Sequence, residues 1–216
     1  MVEYQNLIAH LALAMGASWC AGINLYATLA VLGLMANYVP GFHLPPDLAI
    51  LGSPYVMLPA LFMYCVEFFA DKIPAIDSAW DTIHTFIRVP AGAILAAAAL
   101  GSVPPELQVG AAMIGGTLAL GAHTTKATAR VAAHATGTSL LISPAASIVE
   151  DGLVIGTVSL LAAHPFLSIG MTILMIIASA LLLKTLWSVA RKVIQSLSGR
   201  KKLYPAPAMN PSRVLS

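Results

Sequence analysis

Charge is what this sequence has least of: 9% of its 216 residues are Asp, Glu, Lys or Arg, against 58% hydrophobic, with a mean hydropathy of +0.84. Soluble domains run near a quarter charged, so a soluble globular fold is excluded. The strict apolar–polar alternation of outer-membrane strands is also missing, and continuous apolar runs exclude a transmembrane barrel. The start, MVEYQN, has no basic region and no A-x-A site follows, so the first apolar run is expected to remain in the mature chain. Only two cysteines occur, Cys20 and Cys65, both inside apolar runs. They read as small buried residues rather than a disulfide. No P-loop, G-x-S-x-G elbow, H-E-x-x-H or cysteine metal pair is present, and no cofactor is expected.

What is present is length of apolar chain. Several runs reach the roughly 20 residues that cross a hydrocarbon core. The chain therefore reads as all-α, a polytopic transmembrane helical bundle of about six spans: 7–36, 53–70, 80–100, 107–134, 139–163 and 166–189. Proline- and glycine-rich stretches separate them: NYVPGFHLPPDLAILGSP, DKIPAIDS, GSVPPE and HPF. Residues 1–199 form one integral membrane domain, and 200–216 a basic, disordered cytoplasmic tail. Arg191, Lys192, Arg200, Lys201, Lys202 and Arg213 follow the last span, whereas 37–52, 101–106 and 164–165 contain no Lys or Arg. By the positive-inside rule the tail is cytoplasmic and, with six spans, so is the N-terminus, in an inner membrane.

Two phrases hint at duplication: LALAMGAS (11–18) resembles GTLALGAH (116–123), and Val66-Glu67 resembles Val149-Glu150. Three spans per half would set residues 1–103 and 104–199 in opposite orientations, a 3+3 inverted repeat of the kind transporters use. The alternative is that these are small residues any membrane helix carries.

Polar residues inside the apolar runs are the candidate functional set. In GAHTTKATARVAAHATG, His123, Lys126, Arg130 and His134 recur at spacings of three, four and four, one face of a helix. A mid-membrane Lys or Arg costs ~2.5–3.5 kcal/mol on insertion scales, so it needs a partner, a cavity or an anion. The competing reading is a helix end whose cations snorkel to headgroups. A second stripe, Asp77, Asp81, His84 and Arg88, is either an interfacial turn with Asp77 as cap or a site. The acids Glu67 and Asp71, and the adjacent Glu150 and Asp151, are candidates for proton coupling or charge pairing. Pro144 and Gly152 flank the second pair, which suggests a discontinuous helix lining a cavity. Gly16, Cys20, Asn24 and Thr28 share a face suited to close helix packing, with Asn24 as its one candidate site residue.

The phrases ASWCAGINLYATLAVLGL, VEFFADKIPAIDSAWDTIHTFIRVPAGAILA and GAHTTKATARVAAHATG…SPAASIVED resemble the bacterial integral membrane family named domain of unknown function 4126, over about residues 5–195. The resemblance implies an integral membrane protein and carries no activity, substrate or site. On the residues, the leading reading is a small transporter or flippase. Lys126, Arg130, His123, His134 and Asn24 would meet an anionic solute or lipid headgroup, and carboxylates would carry a proton. The alternatives are a scaffold or assembly subunit with structural charge pairs, and a metal-dependent membrane enzyme or cation carrier using the clustered acids. The expected partner is membrane lipid; nucleic acid is not expected, since the basic tail is short and lies against the membrane.

Overall fold

The computed structural model describes residues 2–203, excepting the side chains of 2–5, 74, 75, 77, 78, 141, 142, 162, 193, 194 and 196–203. The tail from 204 onward and the side chain of Asp77 therefore lie outside the described residues. Among the described residues seven α-helices run in order: α1 (Val2–Ile23), α2 (Leu25–Tyr38), α3 (Pro54–Ala70), α4 (Pro74–Ala99), α5 (Pro105–Ala135), α6 (Ser139–Ala163) and α7 (Pro165–Leu203). A 3-10 segment, Pro46–Gly52, leads into α3 at a 64° bend. Proline opens α3, α4, α5 and α7, where its missing N–H has no helical partner to lose.

The expected first span, 7–36, is not one helix. At Asn24 the backbone turns extended (φ −144°, ψ 98°), and the Asn24 side chain caps α2 by accepting the Ala27 N–H at 2.9 Å. A short polar side chain that can replace a backbone acceptor makes such a break cheap. The neighbours fix the direction of each arm. Gly22 lies against Ala119 and Ala122, and Leu7 and Leu11 share a cavity with Leu107, so α1 runs parallel to α5. Gly33 meets Leu51 and Met57, and Asn37 donates to the Gly52 carbonyl at 2.7 Å, so α2 runs back along α3. Together α1 and α2 form a hairpin whose tip is Asn24. Its mouth lies with the connections 39–53, 100–104 and 164.

This hairpin revises two expectations. Asn6 and His10, in α1, share a cavity with Gly41, His43 and Pro165, while α7 runs from Pro165 for 39 residues toward the other end. The N-terminal end of α1 and the C-terminal end of α7 therefore lie at opposite ends of the bundle, not the same one. The phrases 11–18 and 116–123 lie on the parallel helices α1 and α5, whereas an inverted repeat would set them antiparallel. A third expectation also changes: α6 is continuous from Ser139 to Ala163 with Pro144 inside it, so the discontinuity is at Asn24.

Among the described residues four helices are long and apolar enough to cross a bilayer, five if the bent 3-10 segment and α3 count as one span. The chain is an all-helical, multi-pass type of bundle, but six spans do not emerge. Helix α5 is not among the four despite its 31 residues, because glycine, threonine, histidine and two cations lower its hydropathy. It has no need to be apolar all round, since it packs chiefly on α4 and α1. Small residues allow that closeness: a Cβ at Gly22 would land on the Ala119 backbone, and one at Gly115 on Ala96 and the Gly92 carbonyl. Outward, Phe62, Phe69, Phe86, Ile94, Leu174, Ile177 and Leu181 are exposed. Cys65 joins this outer face while Cys20 is fully buried, so only one cysteine is the small core residue expected; both are free thiols. An apolar exterior around a polar interior is the distribution a bilayer selects.

A buried ion cluster at the hairpin tip

The last turn of α3, the stretch of α4 from Asp81 to Arg88, the second half of α5 and the middle of α6 meet at the tip of the hairpin. Helix periodicity turns their polar residues to one point. Arg88 donates through Nη1 to Asp81 Oδ1 at 3.0 Å, and its Nη2 pairs with Glu67 Oε1. Lys126 Nζ lies 2.9 Å from Asp71 Oδ2, 3.6 Å from Glu150 Oε2, 3.7 Å from Asp81 Oδ1 and 3.9 Å from Glu67 Oε1. It also donates to the Ile23 carbonyl, at the end of α1, at 3.4 Å. Arg130 Nη2 donates to Glu150 Oε2 at 2.9 Å and lies 3.8 Å from Asp71 Oδ2. Snorkelling is therefore not what these cations do; Lys126 and Arg130 are each 3% exposed and turned inward.

The network also assigns its histidines. Arginine can only donate, so His123 Nδ1, 2.9 Å from Arg88 Nη1, accepts. His123 Nε2 then carries the proton and donates to Thr85 Oγ1 at 2.6 Å, while Thr85 donates to the Asp81 carbonyl at 3.0 Å. His84 Nδ1 faces the Trp80 carbonyl at 2.8 Å and must donate, and its Nε2 shares a hydrogen bond of 3.1 Å with the Tyr26 hydroxyl. The His123 imidazole is thus neutral in this arrangement and does not add to the positive field.

Beside the cluster, between α4 and α5, is a cavity of about 210 Å³ lined by Asp81, Thr82, Thr85, His123, Ala127, Arg130 and Val131. Arg130 belongs to both the cavity wall and the ion cluster. Its carboxylate partner Glu150 has a side chain 17% exposed, while those of Glu67, Asp71 and Asp81 are at most 5% exposed.

The family model described as Domain of unknown function (DUF4126) matches residues 11–185. The chain belongs to the DUF4126 family. No curated protein and no solved structure matches it. Every charged member of the cluster falls within the matched DUF4126 segment.

Of the residues singled out in this DUF4126 sequence, Glu67, Asp71, Asp81, Arg88, His123, Lys126, Arg130 and Glu150 converge. Asn24 and Asp151 join them at the edge, through a hydrogen bond of 2.9 Å. His134 does not join: its Nδ1 turns back to the Arg130 carbonyl at 2.8 Å, one turn nearer the end of α5. His84 shares the second stripe but serves a separate contact, stacking on Trp80 with ring centroids 4.3 Å apart. Thr85 and Tyr26 were not anticipated. Nothing in their local sequence marks them, because their partners lie 38 and 58 residues away. Among the described residues no three of His, Cys, Asp and Glu are grouped to hold a metal, so a metal-dependent enzyme gains no support.

Proposed function

We propose that this DUF4126 protein is a small membrane transporter or flippase that admits an anionic group, from a free solute or a lipid headgroup, into the cavity at Arg130. The observation that carries this reading is the double membership of Arg130: it lines the 210 Å³ cavity and is held at 2.9 Å by Glu150, the most exposed acid paired in the cluster. An entering phosphate or carboxylate would compete with Glu150 for the same planar guanidinium fork. Protonation of Glu150 weakens its hold on Arg130, so anion entry and proton uptake favour each other. Thr82 and Thr85 supply hydroxyls in the same wall. The broken helices at Asn24 fit a carrier, since irregular backbone at membrane depth belongs beside cavities. The cluster end is assigned to the cytoplasm from Lys72, Arg191 and Lys192, against mouth-end connections that lack Lys and Arg. The N-terminal end of α1 is then on the opposite side.

A second reading has its own support: each of the three cations already has carboxylate partners, as a scaffold held by ion pairs would require. Three variants separate the two, with phosphate and a short-chain phosphatidic acid as probes. Purified protein is followed by thermal shift, and proteoliposomes carrying a luminal pH dye are given a phosphate gradient. A carrier predicts stabilisation by one of the probes, weakened in Arg130→Lys, abolished in Arg130→Ala and not recovered in the double variant Arg130→Ala/Glu150→Ala. Proton-linked movement of the stabilising probe should fall in the same order. If the double variant regains both stability and movement, the pair is structural and the carrier reading fails.

A further inference from the structure

Asp151 is unlike the other acids of the cluster. It is 6% exposed, and no Lys, Arg or His nitrogen of the described residues comes within ion-pair distance. Its Oδ1 accepts from Asn24 Nδ2 at 2.9 Å, and its buried Oδ2 has no hydrogen-bond partner among the described residues. The amide that faces it cannot turn over. Asn24 Oδ1 is committed to the Ala27 N–H as the cap of α2, which leaves only the NH₂ group to meet Asp151. A buried carboxylate whose one partner is a neutral donor is stable when it holds a proton and costly when it does not. Among the described residues, Arg88, Lys126 and Arg130 are already engaged in ion pairs with Glu67, Asp71, Asp81 and Glu150.

We infer that Asp151 is a proton-binding site, with the proton on Oδ2 and Oδ1 still accepting from Asn24, and that this proton holds the tip of the hairpin. The groups around it are known by element. Asn24 comes from the α1–α2 junction, and Cys20 on α1 faces Thr157 farther along α6. Tyr26 on α2 turns to His84 of α4, while Asp81 and Arg88 of α4 pair within the cluster. Tyr64 of α3, with Asp71 and Lys72 just beyond that helix, is within electrostatic range, as is Lys126 on α5. Arg130 and Glu150 are tied to each other. On α7, Ser168 and Thr172 face Gly16 of α1. The cations best placed to answer an ionised Asp151 are therefore Lys72 and Lys126. Lys126 is also the donor to the Ile23 carbonyl, so its recruitment would undo the contact that closes α1. Loss of the proton at Asp151 is thereby coupled to movement of the tip. None of this depends on whether Arg130 receives an anion.

The test is infrared spectroscopy on the full chain in phosphatidylcholine–phosphatidylglycerol vesicles, at neutral pH and with Na⁺ varied. A protonated-carboxyl C=O band is expected in the wild type, lost in Asp151→Asn and kept in Glu150→Gln. Melting of the wild type should fall as pH is raised through deprotonation of Asp151, because the folded state then binds more protons than the unfolded one; Asp151→Asn should not share this fall. Asn24→Ala supplies a second reading of the same proton: removal of the donor at Oδ1 should shift the band without abolishing it. A band unchanged in Asp151→Asn, a band unmoved in Asn24→Ala, or Na⁺-dependent stabilisation that Asp151→Asn removes would each overturn the inference.

Discussion

The same three helices, α1, α4 and α5, are held together in two ways along their length. Toward the hairpin mouth the contact is made of Gly92, Gly115 and Ala119, with Ser18 donating to the Gly92 carbonyl at 2.7 Å. One to three turns on from Gly92 and Gly115, toward the tip, it becomes Thr85, Arg88, His123 and Lys126. The first region is a membrane-helix seam: backbones approach because nothing stands between them, and packing supplies the attraction. The second seats ion pairs between the helices, and each ion there is stable only because the others are present. A small-residue seam fails gradually when one residue changes, whereas a closed ion network fails when any member is removed.

Arg88→Ala should break the comparison most strongly. Arg88 is 0% exposed and serves Glu67, Asp81 and His123 at once. Its loss leaves buried acids without their cation, a class of change that costs about 3–5 kcal/mol. Denaturant unfolding of the reconstituted protein, or folded yield where none survives, reads the effect. Arg88→Lys should recover part of it, since charge returns without the fork.

Next comes Gly115→Val, in the seam. The new Cβ would meet Ala96, the Gly92 carbonyl and Ser18 Oγ from three sides, and overpacking of this kind costs about 1–3 kcal/mol. The loss should be smaller than for Arg88→Ala and should not change with pH, because no charged group touches this site. A pH-dependent loss would show that seam and cluster are one unit.

Much of the cluster could be read in the sequence. Lys126 and Arg130 sit on one helix face by spacing alone, and a cation in an apolar run demands a partner, so the acids of α3 and α6 were the natural choice. Two things stayed hidden, each for a physical reason. The break at Asn24 looks locally like continued helix, since the flanking residues are apolar and no proline marks the turn. Only the capped Ala27 N–H and the partner Asp151, 127 residues away, give the asparagine its role. That hidden turn also sets the N-terminal end of α1 and the C-terminal end of α7 at opposite ends of the bundle, where six spans would have put both at one. Arg88 was legible as a charge but not as the central cation, since its stripe could equally have been an interfacial turn. Its partners come from α3 and α5 as well as from its own helix.

The smallest effect sharpens the boundary of the cluster. Lys72 follows Asp71 directly, yet it is only half-buried, donating to the Phe68 carbonyl at 2.8 Å with its ammonium 3.1 Å from the Phe68 ring centroid. Its anchoring is local: a helix-end carbonyl, an aromatic face and access to solvent. Cation–π contacts at such sites are worth about 0.5–1 kcal/mol, and no buried acid depends on this lysine for its pairing. Lys72→Ala should therefore cost less than about 1 kcal/mol, whereas Lys126→Ala should cost severalfold more, because Asp71 loses the cation at 2.9 Å. The two lysines carry the same charge, one paired with Asp71 and one next to it in sequence, so their difference measures burial rather than charge. Unfolding both variants in the same vesicles gives that difference directly. If Lys72→Ala proves as damaging as Lys126→Ala, then Lys72 answers an ionised Asp151 in the resting protein, and both the edge of the cluster and the proton assigned to Asp151 must be redrawn.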